Sequence, residues 1–501
     1  MARKNASQKQ SNIQVQLDLE HPTGNFWVDN GLAALCDLTG GGEHPLEQVL
    51  DEVEQRLVQK TGNKSEYLDE ATGELREYEK VNWVYPTNLF IKVVGRAPKQ
   101  KIHGKEYFTQ PPRLELSLQF KKKKGHCDIC GALAPTTDAK MWMFPFVVEP
   151  GKFGNFYSGA RRGVNLCPRC AVAGAAGYLT WLWVAQGRDA LHFFLFHSDL
   201  RETARLQREV LQPLRLEGGK GGNVRLPFYG PYLHETTLGL LLELFSHVQR
   251  SDRLTDEGRE FLASLLGATA ALPPAPLTLY AIMGKPGQAF NMQVFREFSH
   301  LHSLYRLYET WIEKLGGDNP QQTLTGVFRQ FQTKEGNQYN TLWREKIAWA
   351  VLEFGDPLPY VEAFLFEARA KEKNPPPLSW GTESVFNHYA KEVLNVDEGL
   401  LKVLSGFGHR LGSVAHEKNE MGILYALRNA KNPEEFFRVL NDIQFRLELT
   451  VPEKLLEIGQ GERIAGSPWV RVKTLLSIYA MNSYLRAGRG PIPTEQGGDA
   501  A

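Results

Sequence analysis

Apolar positions recur at helical spacing near the start of the chain, alternate further on, and return to the helical period through to the end. Residues 23–39, TGNFWVDNGLAALCDLT, read as a helix with Leu32, Leu35, Cys36 and Leu38 on one face, and Asp29 or Asn30 can cap it. Leu46, Val49, Leu50, Val53 and Leu57 mark a second helix over 45–60. The acidic stretch 61–80 reads as a loop. From 81 to 120 the pattern is that of strands: VNWVY, LFIKVVG and RLELSLQF, the last with Leu114, Leu116, Leu118 and Phe120 on one face. Further on, 171–187 predicts an apolar helix and LHFFLFH a strand. Residues 199–213, 234–249 and 256–267 predict helices, and LTLYAIMG a strand able to return to the N-terminal sheet. Helices follow at 291–315, 320–332, 340–353, 358–372, 381–394, 398–413, 419–430, 433–448 and 469–486, with Gly, Pro and Asn between most of them.

These elements predict an α+β protein. A mixed N-terminal domain over 1–335 carries an inserted four-cysteine zinc module at about 120–175, and a helical bundle occupies 336–501. The polar stretch QTKEGNQYN at 332–340 supplies the boundary. A length of 501 residues suits more than one domain.

Composition adds two expectations. Residues 1–20 are polar, and the longest apolar stretch, 171–187, is too short to span a membrane and is followed by Arg188 and Asp189. The chain is therefore expected in the cytoplasm, without a membrane partner. Net charge is only +1, but its distribution is uneven. Residues 43–79 hold eleven acids against four bases, and 88–126 hold ten Lys/Arg against Glu106 and Glu115. Residues 151–188 carry Lys152, Arg161, Arg162, Arg169 and Arg188 and no acid.

The basic segments flank the most specific chemical signal. Cys127 and Cys130 form one C-x2-C pair and Cys167 and Cys170 another, with thirty-six residues between the pairs. Each pair suits a tight knuckle aiming two thiolates at one ion, and two knuckles make the tetrahedral sulfur set that zinc favours. Gly131 suits the knuckle turn, and Phe144, Phe146, Phe153, Phe156 and Tyr157 can pack beside it. An iron–sulfur cluster and a pair of redox-active dithiols are the rivals. With four protein ligands no coordination position is open, so the expected Zn2+, one per chain, is structural. The lone Cys36 reads as a core thiol. Lys99, Lys101 and Lys105 in an upstream loop, Lys121, Lys122, Lys123 and Lys124 before the first knuckle, and Arg161, Arg162 and Arg169 around the second are candidates for phosphate contact. Catalytic patterns are missing: GGKGG at 218–222 lacks the Walker A spacing, His234-Glu235 and His416-Glu417 do not extend to HExxH, and no GxSxG occurs. The expectation is no catalytic residue and no enzyme activity.

Three stretches carry a resemblance: TGNFWVDNGLAALCDLTG near the start, the paired CxxC motif, and LTLYAIMGKPGQAF followed by a helical C-terminus with SGFGHRLGSVAHEKNEMGILYALRNAKNPEEFFRVL. In their order and spacing the chain resembles the large subunit of type I-B CRISPR Cascade, in the branch with a CxxC–CxxC region. Phe26-Trp27 after Gly24-Asn25 is bulkier than that pattern. The resemblance implies a non-catalytic antiviral-defence role in a guide-RNA surveillance complex. Its implied partners are guide RNA (crRNA), target double-stranded DNA and the displaced strand, the backbone, handle-binding and small subunits of Cascade, and a helicase-nuclease effector. It further implies recognition of the protospacer-adjacent motif, support of the R-loop and a C-terminal bundle like a Cascade small subunit. A zinc-stabilised protein-interaction scaffold and a stand-alone zinc-containing nucleic-acid enzyme are the alternatives.

Overall fold

The computed structural model describes residues 13–83, 93–94, 99–102, 104–111, 113–114, 116, 118–139, 143–144, 164–187, 189–216, 221–269, 275–285, 290–368 and 375–488. The fold is α+β, with strands and helices mixed up to Phe298 and a helical region after it. Two compact units share the chain. The first takes Met1–Leu226 and Glu243–Tyr305, and the second takes Pro227–Leu242 and Arg306–Ala501. The polar stretch 332–340 predicts a boundary at 335/336. The units instead divide after Tyr305, and 332–340 is a hairpin inside the second unit, Thr333–Glu335 pairing with Gln338–Asn340 around Gly336.

In the first unit, β1 (Gln14–Leu17) pairs antiparallel with β2 (Gly42–Pro45), and helix α1 (Phe26–Thr39) lies between them in sequence. Asn25 caps α1, accepting bonds from the backbone N–H of Trp27 and Val28 at 3.1 Å each. The expected caps, Asp29 and Asn30, lie inside the helix and are buried. The Asp29 carboxylate instead accepts from Thr23 N and Oγ1 at 2.7 Å, from Gly24 N at 3.1 Å and faces His197 Nε2 at 3.4 Å. Asn30 donates to the carbonyl of Phe196 at 3.1 Å and accepts from Gln207 at 3.0 Å. The polar part of this motif thus satisfies internal partners, as buried polar groups must.

Helix α2 (Leu46–Leu57) follows as predicted. Residues 61–80, expected as a loop, lie in a hairpin of β3 (Val58–Leu68) and β4 (Leu75–Trp83). Few of its side chains are apolar, so the hydrophobic signal is weak. Cross-strand charge pairs such as Lys64–Glu77 at 2.9 Å support it instead. This hairpin joins β6 (Lys99–Ile102) and β7 (Lys105–Phe108), after the short β5 (Val93–Val94), in a sheet of order β4-β3-β7-β6. Among the described residues of RLELSLQF, Arg113–Leu114 is a strand, β8, pairing with β5, and Leu116 and Leu118 are buried. Residues 84–92 of the expected strands lie outside the described residues.

The predicted helix 171–187 splits. Helix α3 (Pro168–Ala176) ends in a 3-10 turn, and Leu182–Gln186 is a strand. The split follows composition: small residues fill most of α3, and bulky, aromatic and β-branched residues dominate from Tyr178 to Val184. That strand, Ala190–His197, Thr278–Lys285 and Asn291–Phe298 form a four-stranded antiparallel sheet in sequential order. Asn291–Phe298 was expected to begin a helix. It is an edge strand, and helix begins at Leu301.

In the second unit, helices at Pro320–Arg329, Leu342–Leu352, Leu358–Ala363, Thr382–Glu392, Glu398–Glu417, Met421–Asn429, Pro433–Leu447 and Trp469–Ala487 match the helical periodicity closely. The SGFGHRLG motif has a packing reason. A methyl group at Gly412 would lie 2.1 Å from the Ala480 carbonyl oxygen, and one at Gly408 would lie 2.5 Å from Tyr479 Cβ. The two longest helices touch through bare backbone there. No described helix is long and apolar enough to cross a membrane.

Candidate metal centre

The first knuckle is the turn of a small hairpin, β9 (Lys124–His126) with β10 (Leu133–Pro135). Cys127 N–H donates to Ala132 and Gly131 N–H back to Cys127, both at 2.9 Å. Gly131 takes φ +73°, a backbone that glycine adopts without strain. The second knuckle is a helix start. Cys167 is the N-cap of α3, Pro168 holds the first helical position, and Cys170 N–H donates to Cys167 Sγ at 3.5 Å. One pair is thus held by a hairpin turn and the other by a helix N-terminus.

The fold brings the two pairs together. All four Sγ atoms lie within 4.8 Å of one another, and Cys130 Sγ is 3.6 Å from Cys167 Sγ. A disulfide would need about 2.05 Å, so all four are free thiols. Zinc–sulfur bonds of about 2.3 Å in a tetrahedron set sulfurs roughly 3.8 Å apart, and these side chains can hold a metal ion. Cys127, Cys167 and Cys170 are buried and Cys130 is half-buried.

Thiols packed this closely cannot ionise independently. Hydrogen bonds from Cys167 and Cys170 hold the Cys127 thiol well below its ordinary value. The bond to Cys127, together with burial, pushes Cys167 up to about 12. Cys170 is raised further by its bonds to Cys127 and Cys167. A cation that displaces the remaining protons allows four thiolates at this spacing.

Residues outside the two CxxC pairs join the knuckles. Asn165 N–H donates to Asp128 Oδ2 at 2.7 Å, and Asp128 N–H donates to the Asn165 carbonyl at 2.8 Å. Lys121 Nζ reaches Asp138 Oδ1 at 2.8 Å and Asn165 Oδ1 at 2.7 Å. No sequence spacing connects Asp128 to a residue so far along the chain.

The centre is welded to α1. Trp27 Nε1 donates to the carbonyls of Met143 and Gly174, both at 2.8 Å, and its ring fills the space beside Gly177. A methyl group at Gly31 would lie 1.8 Å from the Ala173 carbonyl oxygen, so α1 and α3 cross backbone to backbone. The bulky Phe26-Trp27 pair therefore has a place: Trp27 is a core residue over the helix that carries Cys170. Phe144 is buried in the same core; Phe146, Phe153, Phe156 and Tyr157 lie outside the described residues.

The basic candidates separate. Lys122, Lys123 and Lys124 are exposed at the entry to the first knuckle. Lys121 is engaged as described. Arg169, with 16% of its side chain exposed, donates to the His21 carbonyl at 2.6 Å and lies 3.8 Å from Asp18 Oδ1, which spends its charge inside the fold. Lys99, Lys101 and Lys105, expected in a loop, sit on paired strands. Lys101 and Lys105 occupy opposite faces of their sheet, because one pairs with Glu106 and the other with Ile102. Arg161 and Arg162 lie outside the described residues. No protein-family model matches the chain, and no curated protein matches it.

Proposed function

We propose that the four cysteines bind one structural zinc ion, and that the chain is the non-catalytic large subunit of a type I-B CRISPR surveillance complex. The observation that carries the first part is the convergence of all four sulfurs within 4.8 Å. That spacing suits a single tetrahedral ion better than a multi-iron cluster, whose metals would hold two sulfur pairs apart, and burial of three ligands suits a fixed structural site better than a redox dithiol. The second part rests on the resemblance. Two of its three stretches meet physically, since TGNFWVDNGLAALCDLTG packs on the helix of the second CxxC pair. Its third ends in a helical C-terminal region.

In this reading the zinc clamps the β9–β10 hairpin so that Lys122, Lys123 and Lys124 meet phosphates of the target duplex. Such contacts position the protein and give salt-dependent affinity, while guide pairing reads sequence. The chain supplies no chemistry to the cut, which falls to a recruited helicase-nuclease. The test is to purify the tagged chain from its native host and sequence what comes with it. Repeat-derived RNA and companion subunits are the expected result, and neither appearing would sink the assignment. Reversing Lys122–Lys124 to Glu should weaken duplex binding and flatten its dependence on salt, by up to about 0.9 in log–log slope per lost contact. Unchanged binding would assign these lysines to solubility.

A further inference from the structure

The sheet β4-β3-β7-β6 has two faces of different chemistry. Side chains alternate between faces along a strand, and residues paired across a ladder share one. Tyr67 is paired with Arg76 on one side and with Phe108 on the other, and Tyr78 is paired with Ser65. These residues therefore share a face with Lys101 and Glu106, which pair with each other. Tyr78, Tyr67 and Phe108 run across three adjacent strands, each half-buried. The two tyrosine rings stand 6.2 Å apart, edge towards face. Lys80 and Lys101 flank the row and are exposed, and Arg76, also exposed, is paired with Asp69 at 3.0 Å. The other face takes Glu66, Glu77 and Glu79, with Lys64 spent on Glu77 at 2.9 Å and Lys105 set over Tyr107 at 4.9 Å.

A sheet that is polar on both sides gains little from packing, so a row of three aromatic rings across one face calls for another reason. Here three aromatic rings share their face with Lys80, Lys101 and one strand carboxylate, Glu106, while three carboxylates, Glu66, Glu77 and Glu79, lie on the other face. Aromatic rings across an antiparallel sheet are a stacking platform for unpaired bases, and flanking cations follow a phosphate backbone. A duplex fits poorly, since its bases are already stacked on one another. An acidic peptide would use the cations and leave the row of rings unused.

We infer that this face binds single-stranded nucleic acid, with Tyr67, Tyr78 and Phe108 stacking bases and Lys80 and Lys101 contacting phosphates. The site is distinct from Lys122–Lys124 at the zinc knuckle and does not depend on the surveillance-complex reading.

The experiment uses the full-length purified chain and fluorescein-labelled 15-mers of dT and of U, with a 15-base-pair DNA duplex as comparison, read by anisotropy. The single strands should bind in preference to the duplex in the Lys122–Lys124 reversal background. The dT and U titrations decide between DNA and RNA as the preferred strand. Y67A/Y78A should weaken single-strand binding about tenfold or more, because stacking is lost at two rings. Y67F/Y78F should restore it. Y67L/Y78L keeps apolar bulk if the alanine pair disturbs folding, and should remain weak with unchanged circular dichroism. E66Q/E77Q on the opposite face should leave affinity the same or tighter. Photocrosslinking of a 5-iodouridine 15-mer should map to Tyr67, Tyr78 or Phe108. Wild-type chain that ignores both 15-mers, Y67L/Y78L that binds as tightly as wild type, or crosslinks confined to other segments would each overturn the proposal.

Discussion

A methyl group is a small addition, yet at Gly31 it has nowhere to go. The obstacle is the Ala173 carbonyl, which is backbone and cannot swing aside. Gly31→Ala is therefore expected to force α1 and α3 apart and cost about 1–3 kcal/mol or more, as overpacked cores do. Urea unfolding of the full chain measures it, and a variant within about 0.5 kcal/mol of wild type would mean that the helices slide freely. A second residue sets a pH dependence. Glu362 is buried on Leu358–Ala363, and burial pushes its carboxyl from 4.5 up to about 7, against the pull of Lys473 and Arg428. The folded state then holds a proton that the unfolded state releases. Stability from this group falls as pH rises from about 4.5 through 7. Glu362→Gln should remove that slope, narrowing the stability difference between pH 5 and pH 8 by on the order of 1–3 kcal/mol. Denaturation midpoints at the two pH values give the answer, and an unchanged difference would show that the carboxyl titrates normally.

At the scale of elements, the segment Pro227–Leu242 of the second unit carries a buried set of bonds. Arg344 Nε meets Glu235 Oε2 at 2.7 Å with both side chains almost fully buried, and Thr341 Oγ1 donates to Glu235 Oε1 at 2.7 Å. Glu345 accepts from the Glu235 backbone at 2.8 Å and meets His234 Nδ1 at 2.6 Å, so two helix starts interlock. Removing one charge strands the other. Arg344→Met is expected to cost about 3–5 kcal/mol, and Glu235→Leu with Arg344→Met together much less than two single losses. A double-mutant cycle by chemical denaturation tests this; additive losses would deny the coupling. None of these partners was legible in the sequence, where His234-Glu235 was weighed only as a failed metal motif. The helices themselves were legible. Amphipathic segments with Gly, Pro and Asn stops carry their own boundaries, so most of the second unit follows from periodicity. Elements decided by distant pairing were lost: the polar hairpin 58–83, the split after Ala176 and the edge strand Asn291–Phe298 have no apolar period of their own. The four cysteines were legible because their chemistry is local to two short motifs. The Asp128–Asn165 bridge and the aromatic face of Tyr67, Tyr78 and Phe108 depend on strand register, which a sequence does not print.

For the whole molecule, the four-cysteine pattern predicts a structural ion confined to a module at about 120–175. The packing gives the proposed ion a wider reach. Cys127, Cys167 and Cys170 belong to one buried cluster with Trp27, Leu32, Val49, Leu191 and Phe193, so the ligands are part of the main core of the first unit. Structural zinc contributes about 10–16 kcal/mol in zinc-finger peptides, comparable with the roughly 5–15 kcal/mol that separates a whole domain from unfolding. Stripping the ion would leave four thiols competing for protons against the N-terminus of α3, and α3 is the surface on which α1 rests. Hydrogen exchange of the full chain before and after chelation reads the consequence by segment. Amides of Phe26–Thr39 and Pro168–Ala176 are expected to lose protection together with the β9–β10 hairpin, while Glu398–Glu417 and Trp469–Ala487, whose contact is made by Gly408 and Gly412, keep theirs. Cys130→Ser should reproduce the pattern without chelator, with less than one zinc per chain by elemental analysis. Deprotection confined to residues 124–138, with Phe26–Thr39 still slow, would return the ion to the role of a local clamp, because the α1–α3 crossing would then stand without it.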